Sequence, residues 1–137
     1  MQRLAVYCGA NAGKNPAYAD LVYGGGRLGL MGIIADTVLT EGGQVHGVIP
    51  EMLKDLEVAH KGVTELHIVR NMHERKAKMT DLTDAFVALP GGVGTMDELF
   101  EAWSWNALGY HNKPFDIDDC LDRLAAACTA EAGSFKW

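Results

Sequence analysis

At 137 residues, with 48% hydrophobic and 22% charged side chains, the chain suits one domain, 1–137, whose core needs neither disulfides nor metal. The formal net charge of -6 argues against a non-specific nucleic-acid binder, which needs a cationic field, but leaves room for a small phosphorylated substrate held by a few local donors. Cys8, Cys120 and Cys128 have neither metal-site nor disulfide-framework spacing, and no stretch holds 18 consecutive apolar residues. Met1–Gln2–Arg3 runs straight into an apolar strand with no leader-like region. The expectation is a cytoplasmic protein that is neither secreted nor membrane-spanning.

In chain order, Leu4–Cys8 reads as a buried strand ending at Gly9, and Leu21–Tyr23 as another, cut off by Gly24–Gly25–Gly26. Leu28 to Leu39 has a helical apolar stripe in Leu30, Ile33, Ile34 and Val38, stopped by Gly42–Gly43. Val45–Ile49 and Glu65–Val69 are strands. Met72–Leu82 is a charged helix, Ala85–Leu89 a strand stopped by Pro90, and Thr95–Leu108 a helix. A last helix is expected over Cys120–Ala130. Short apolar strands alternating with helices predict a three-layer, Rossmann-like α/β fold, a parallel sheet with helices on both faces. In such sheets the ligand sits beyond the carboxyl ends of the strands. Both glycine clusters, Gly24–Gly26 and Gly91–Gly94, fall there.

Two places are tight. Gly9–Asp20 supplies only 12 residues for a connection that, between parallel strands, needs about a dozen or more and usually a helix. After Pro114 a strand is due, yet Asp116, Asp118 and Asp119 dilute the apolar run.

The segment Pro90–Glu98, PGGVGTMDE, carries the clearest chemistry. Pro90 ends a strand, and Gly91, Gly92 and Gly94 allow a tight turn with amides close to a ligand. A helix opening at Thr95 adds unpaired amides and a positive dipole end, which suit a phosphate. The same residues also suit a plain capping box, with Thr95 as cap and Glu98 as its partner. The segment is neither a Walker loop nor a dinucleotide fingerprint. Gly24–Gly32, GGGRLGLMG, is a second loop of close backbone approach or of tight packing. In Met72–Met79, Arg75 is able to reach a ligand at the sheet edge, or to lie on a solvated charged face. His46, His60, His67 and His111 show no metal-ligand pattern. Trp103 and Trp105 point different ways on a helix, one toward core and one toward core or a homodimer surface.

Taken together, GGGRLGLMG at 24–32, GVIP at 47–50, MHERK at 72–76, PGGVGTMDE at 90–98 and LGYHNKP at 108–114 resemble the LOG, or "lonely guy", family. These are cytokinin riboside 5'-monophosphate phosphoribohydrolases, often mislabelled as lysine decarboxylases. The resemblance covers nearly all of residues 3–114. It implies hydrolysis of the N-glycosidic bond of N6-substituted adenosine 5'-monophosphates, or of AMP itself, to free base and ribose 5-phosphate. Arg75 and Glu98 fall on the family's essential arginine and glutamate. Gly91, Gly92, Val93, Gly94 and Thr95 would hold the 5'-phosphate, and Gly24, Gly25 and Gly26, with Met72 and Lys76, would line the nucleotide site. No metal or other cofactor is implied; a homodimer or higher homo-oligomer is. The chain departs from the family near 16–21 and 114–120, where segments are expected to be missing from the sequence. Two readings compete. One is a nucleotide-binding protein without catalysis; the other is an amino-acid decarboxylase, although neither Lys76 nor Lys78 has a supporting cofactor signature.

Overall fold

The computed structural model describes residues 3–7, 20–56, 58–89 and 91–117. Its strands are β1 (Arg3–Tyr7), β2 (Asp20–Tyr23), β3 (Gln44–Pro50), β4 (Glu65–Val69), β5 (Ala85–Ala88) and β6 (Phe115–Ile117). They form one sheet in the order β4-β3-β2-β1-β5-β6, and every pair is parallel. The helices are α1 (Gly29–Thr40), α2 (Met72–Leu82) and α3 (Val93–Ala107).

The near-continuous apolar runs are explained by burial on both faces of the sheet. Side chains alternate along each strand. Ala5, Tyr7, Val22, Val48, Phe86 and Ala88 therefore pack with Met79 of α2 and with Met96, Leu99 and Ala102 of α3. Leu4, Val6, Leu21, Tyr23, Val45 and Ala85 take the other face, against Ala35, Met31, Ile34 and Val38 of α1. The expected three-layer α/β architecture is the one observed. From β4 the chain returns through α2 and lays β5 on the far side of β1. Strand order thus reverses between β1 and β5, which is where such sheets open a ligand crevice.

Several boundaries moved. Helix α3 starts at Val93, two residues before Thr95. A short 3-10 turn, Glu51–Leu53, follows β3; the sequence reading did not foresee it. The strand beyond Pro114 forms despite its aspartate, pairing Phe86 with Phe115. Phe86 and Phe115 stack at 4.7 Å between ring centroids, which gives so short a strand its anchor. The segment Gly9–Asp20 joins two strands that are direct parallel neighbours, with Arg3 opposite Asp20. The interior of that segment and the expected helix Cys120–Ala130 lie outside the described residues.

Two local devices set the sheet ends. At the amino-terminal side, the Arg3 amide donates to Asp84 Oδ2 at 3.1 Å, the Asp84 amide donates to the Arg3 carbonyl at 2.9 Å, and Thr83 Oγ1 donates to the same carbonyl at 3.2 Å. These bonds clasp β1 to β5. At the carboxyl side, the loop after β2 is strapped down by Val58–His60. Gly26 bridges Ala59, the Arg27 amide donates to the Val58 carbonyl at 3.0 Å, and the His60 amide donates to the Gly25 carbonyl at 2.9 Å. Gly25 adopts φ +81°, open to glycine without penalty.

Helix α1 then packs onto this loop through Gly32, where a Cβ would lie 1.9 Å from the Arg27 carbonyl oxygen. Gly32→Ala is expected to displace the loop and destabilise the fold by about 1–3 kcal/mol, as overpacking does. Urea unfolding checks this; a loss under about 0.5 kcal/mol would show that the loop yields freely.

Candidate active site

A cavity of about 290 Å³ opens at the carboxyl ends of the strands, lined by Val6, Gly24, Met31, Leu53, Met72, Arg75, Gly92, Gly94, Thr95 and Glu98. Each element contributes from its end. Val6 comes from β1, Gly24 follows β2, Leu53 closes the 3-10 turn after β3, and the remaining residues open α1, α2 and α3. The apolar wall is Val6, Met31, Leu53 and Met72. Arg75 and Glu98 face the same space.

Arg75 is positioned by the cap of α2. Asn71 is the N-cap, extended in backbone, and its Oδ1 accepts from the Glu74 amide at 2.9 Å. Glu74 reaches back in turn, accepting from the Arg70 amide at 3.0 Å and from Arg70 Nε at 2.6 Å. This is a reciprocal capping arrangement, and it fixes the rotation of the first turn. Arg75 then points into the sheet edge, only 4% exposed. Its Nε donates to the Val48 carbonyl at 3.1 Å and its Nη2 to the Gly24 carbonyl at 2.8 Å. Nη1 approaches Met72 Sδ at 3.7 Å. A Cβ at Gly24 would lie 2.1 Å from Nη2, so a larger residue there would push the guanidinium off this position.

The start of α3 forms the opposite wall. Gly92 is the N-cap, with φ -86° and ψ -166° and no side-chain cap. The Met96 amide donates to the Gly92 carbonyl, so the amides of Val93, Gly94 and Thr95 precede the helical ladder and lack partners within it. The capping box anticipated between Thr95 and Glu98 does not form: the helix begins two residues earlier, which makes Thr95 its buried third residue. Glu98 lies in the second turn. Its carboxylate is close enough to influence Tyr7 at the end of β1. Burial pushes the Tyr7 phenol up, the charge of Glu98 pushes it further, and a hydrogen bond with Thr80 works against them. Tyr7 is therefore a neutral phenol beneath the cavity. Sequence reasoning missed it, since an aromatic at a strand end reads as core.

Seven of the anticipated residues, Gly24, Met72, Arg75, Gly92, Gly94, Thr95 and Glu98, line one cavity. The others stand outside that lining. Gly25 and Gly26 lie behind it in the strapped loop, and Gly91 and Val93 are exposed at the rim. Lys76 is held elsewhere: its Nζ donates to Asp97 Oδ2 at 3.0 Å and to Glu101 Oε2 in a shorter contact. Burial alone would lower its pKa, but the hydrogen bonds and charges of Glu101 and Asp97 outweigh burial and raise it. The core explanation for Trp103 fails. That side chain is 47% exposed and stacks on exposed Phe100 at 6.4 Å, while Trp105 is half-buried against His73.

The arrangement defines a Rossmann-like α/β protein with one guanidinium and one carboxylate converging at a helix start. The family described as "Possible lysine decarboxylase" matches residues 31–121. The chain is 50% identical over 127 residues to the cytokinin riboside 5'-monophosphate phosphoribohydrolase of Rhodococcoides fascians, covering 81% of this chain and 64% of that protein. It is 46% identical over 142 residues to the probable cytokinin riboside 5'-monophosphate phosphoribohydrolase LOGL1 of Oryza sativa subsp. japonica, covering 90% and 64%. The solved structure of TM1055 superposes with a TM-score of 0.61 at 19% identity, over 84% of this chain and 72% of that one, a likeness of fold. The chain belongs to the LOG family, historically labelled as lysine decarboxylases. It spans 64% of the length of each of these two relatives. Among the described residues no helix is long and apolar enough to cross a membrane.

The Lys76 triad gives a test of the α2–α3 contact. Lys76→Met leaves two carboxylates facing each other and is expected to cost about 1–3 kcal/mol, discounted for the exposure of Asp97. Because the folded pKa is raised, the contribution of Lys76 is complete below the ordinary lysine value of 10.5 and fades as pH rises through the folded value. Paired urea titrations of both proteins at pH 7, 9 and 11 check this, with the gap narrowing only at the highest pH.

Proposed function

We propose that the chain hydrolyses the N-glycosidic bond of N6-substituted adenosine 5'-monophosphates, with AMP as a poorer or alternative substrate, giving free base and ribose 5-phosphate. The observation that carries this reading is the convergence of Arg75, Glu98 and the first-turn amides of α3 on one cavity. The names of the relatives supply the substrate class.

The 5'-phosphate sits at the start of α3, where the unpaired amides and the positive dipole end favour an anion. Gly92 and Gly94 suit that role, since a Cβ at either would meet nothing within 4 Å and the backbone is open to approach. Gly91, Val93 and Thr95 complete the turn. Gly24 and Met72 line the ribose and base region, with Gly25 and Gly26 holding its floor, and Lys76 acts through the α2–α3 contact. As the bond from ribose C1' to the base nitrogen breaks, its electron pair leaves with the base and positive charge grows on the ribose. The Glu98 carboxylate stabilises that charge and accepts a proton from the attacking water. Water oxygen bonds to C1', and the base takes up a proton as it departs. Arg75, held rigid by two carbonyls, fixes the phosphate and ribose at the start of this path.

No metal or other cofactor enters this scheme. The working unit is a homodimer or higher homo-oligomer in the cytoplasm, without nucleic acid or membrane partners; the exposed Trp103, Leu108 and Tyr110 support an assembly surface. A decarboxylase would need a lysine free to bond a carbonyl cofactor, and Lys76 is instead committed to two carboxylates.

Chromatographic detection of free base and ribose 5-phosphate from a panel of monophosphates, nucleosides and lysine tests the proposal. Glu98→Gln is expected to reduce kcat by about 10²–10³-fold, the scale for removing one transition-state electrostatic contact, with KM within a few-fold. Arg75→Ala is expected to lower kcat/KM at least as far. Near-normal turnover by Glu98→Gln, or equal hydrolysis of nucleosides lacking the phosphate, would reject the mechanism. Tight nucleotide binding without base release would favour the non-catalytic reading.

A further inference from the structure

His46 on β3, with Glu65 and His67 on β4, forms a cluster that the cavity does not use. Strand pairing sets His46 opposite Glu65, and the two-residue repeat of a strand puts His67 on the same face as Glu65. One potential ligand atom from each lies within 4.8 Å of the others. His46 Nδ1 is 3.4 Å from Glu65 Oε2, and His67 Nε2 is 3.5 Å from the same oxygen. A tetrahedral ion with bonds of about 2.0–2.2 Å holds its ligand atoms about 3.4 Å apart, which the two spacings to Glu65 match, while the two imidazole atoms lie within 4.8 Å of each other.

The second observation is independent of the spacing. His46 is 4% exposed, yet neither of its ring nitrogens has a hydrogen-bond partner among the described residues, and His67 Nε2 has none either. Burying unsatisfied polar nitrogens is costly. By contrast, the buried cationic groups of Arg75 and Lys76 are hydrogen-bonded. A bound ion would take the lone pair of one nitrogen of His46 and of Nε2 of His67, meeting two of these three unpartnered atoms.

We propose that His46, Glu65 and His67 bind a divalent transition-metal ion, with Zn²⁺ the test ion and water in the fourth position. Two imidazoles and one carboxylate suit zinc and its borderline neighbours rather than magnesium or calcium, which require shells of oxygen. Lys78 and Arg3 lie within electrostatic range of His67, so affinity is expected to be modest for such a ligand set. The ion would tie edge strand β4 to β3, away from the cavity, whose lining includes none of the three residues. The site is thus independent of the hydrolase reading, and its success or failure leaves that reading untouched.

The experiment is calorimetric titration of the chelator-treated full chain with zinc chloride, followed by Co²⁺ as a visible-absorption probe. One equivalent of zinc is expected, with a tetrahedral cobalt spectrum. Glu65→Gln and His67→Gln, at positions open enough to keep the fold by circular dichroism, are each expected to weaken zinc at least tenfold. At a hundredfold excess over Kd, zinc should raise the melting temperature of the unsubstituted chain by about 5–10 °C and that of neither variant. Absence of stoichiometric zinc, or equal zinc binding in both variants, would overturn the assignment.

Discussion

The structure turns on a buried guanidinium. Arg75 reaches under the sheet edge to the carbonyls of Gly24, just beyond β2, and Val48, within β3. Removing a charge from water is tolerable only when its donors find partners, and those two carbonyls take the Nε and Nη2 donors in a fixed geometry. Much else is arranged to permit this. Asn71 and Glu74 rotate the first turn of α2 into register, Gly24 gives up its side chain, and the Val58–His60 strap holds the glycine loop where Arg75 expects it.

A second polar element lies along α2. Lys76 is the next residue, turned toward α3, where Asp97 and Glu101 enclose it. Adjacent cations thus serve separate purposes: one faces the cavity and the other joins two helices. The joint sets the position of α3, and with it the distance between Glu98 and Arg75. Beneath them Tyr7 and Phe86 stack at 5.7 Å between centroids, a rigid aromatic floor on which both helices rest.

The order and kind of most elements were legible in the sequence, because strands buried on two faces write themselves as unbroken apolar runs and glycine clusters mark where they end. The start of α3 was not. Thr95 and Glu98 have the spacing of a capping box, yet Gly92 takes the cap position, and having no side chain it leaves the backbone of the first turn open to approach. Lys76 resembled Arg75 in the MHERK motif; only the 21 residues that separate it from Asp97, closed by the packing of two helices, reveal its different use. Trp103 and Trp105 were readable as facing different ways, but not which of them is exposed; that is Trp103. His46 and Glu65 are 19 positions apart, so no local spacing pattern reports them; strand pairing alone brings them together.

The clasp between Arg3 and Thr83–Asp84 bears on how the chain is assembled in time. Strand β1 is central, but its neighbour on one side arrives about eighty residues later. During synthesis the β1–β4 half of the sheet can emerge complete while β1 still presents a row of unpaired amides and carbonyls to its surroundings. Such long-range pairing slows folding, and an open apolar edge is a template for the wrong partner. Closure of that edge by β5, and the docking of α3 that follows it in the chain, also create the crevice, so completion of the sheet's centre and the first appearance of a binding-competent cavity belong to one stage of folding.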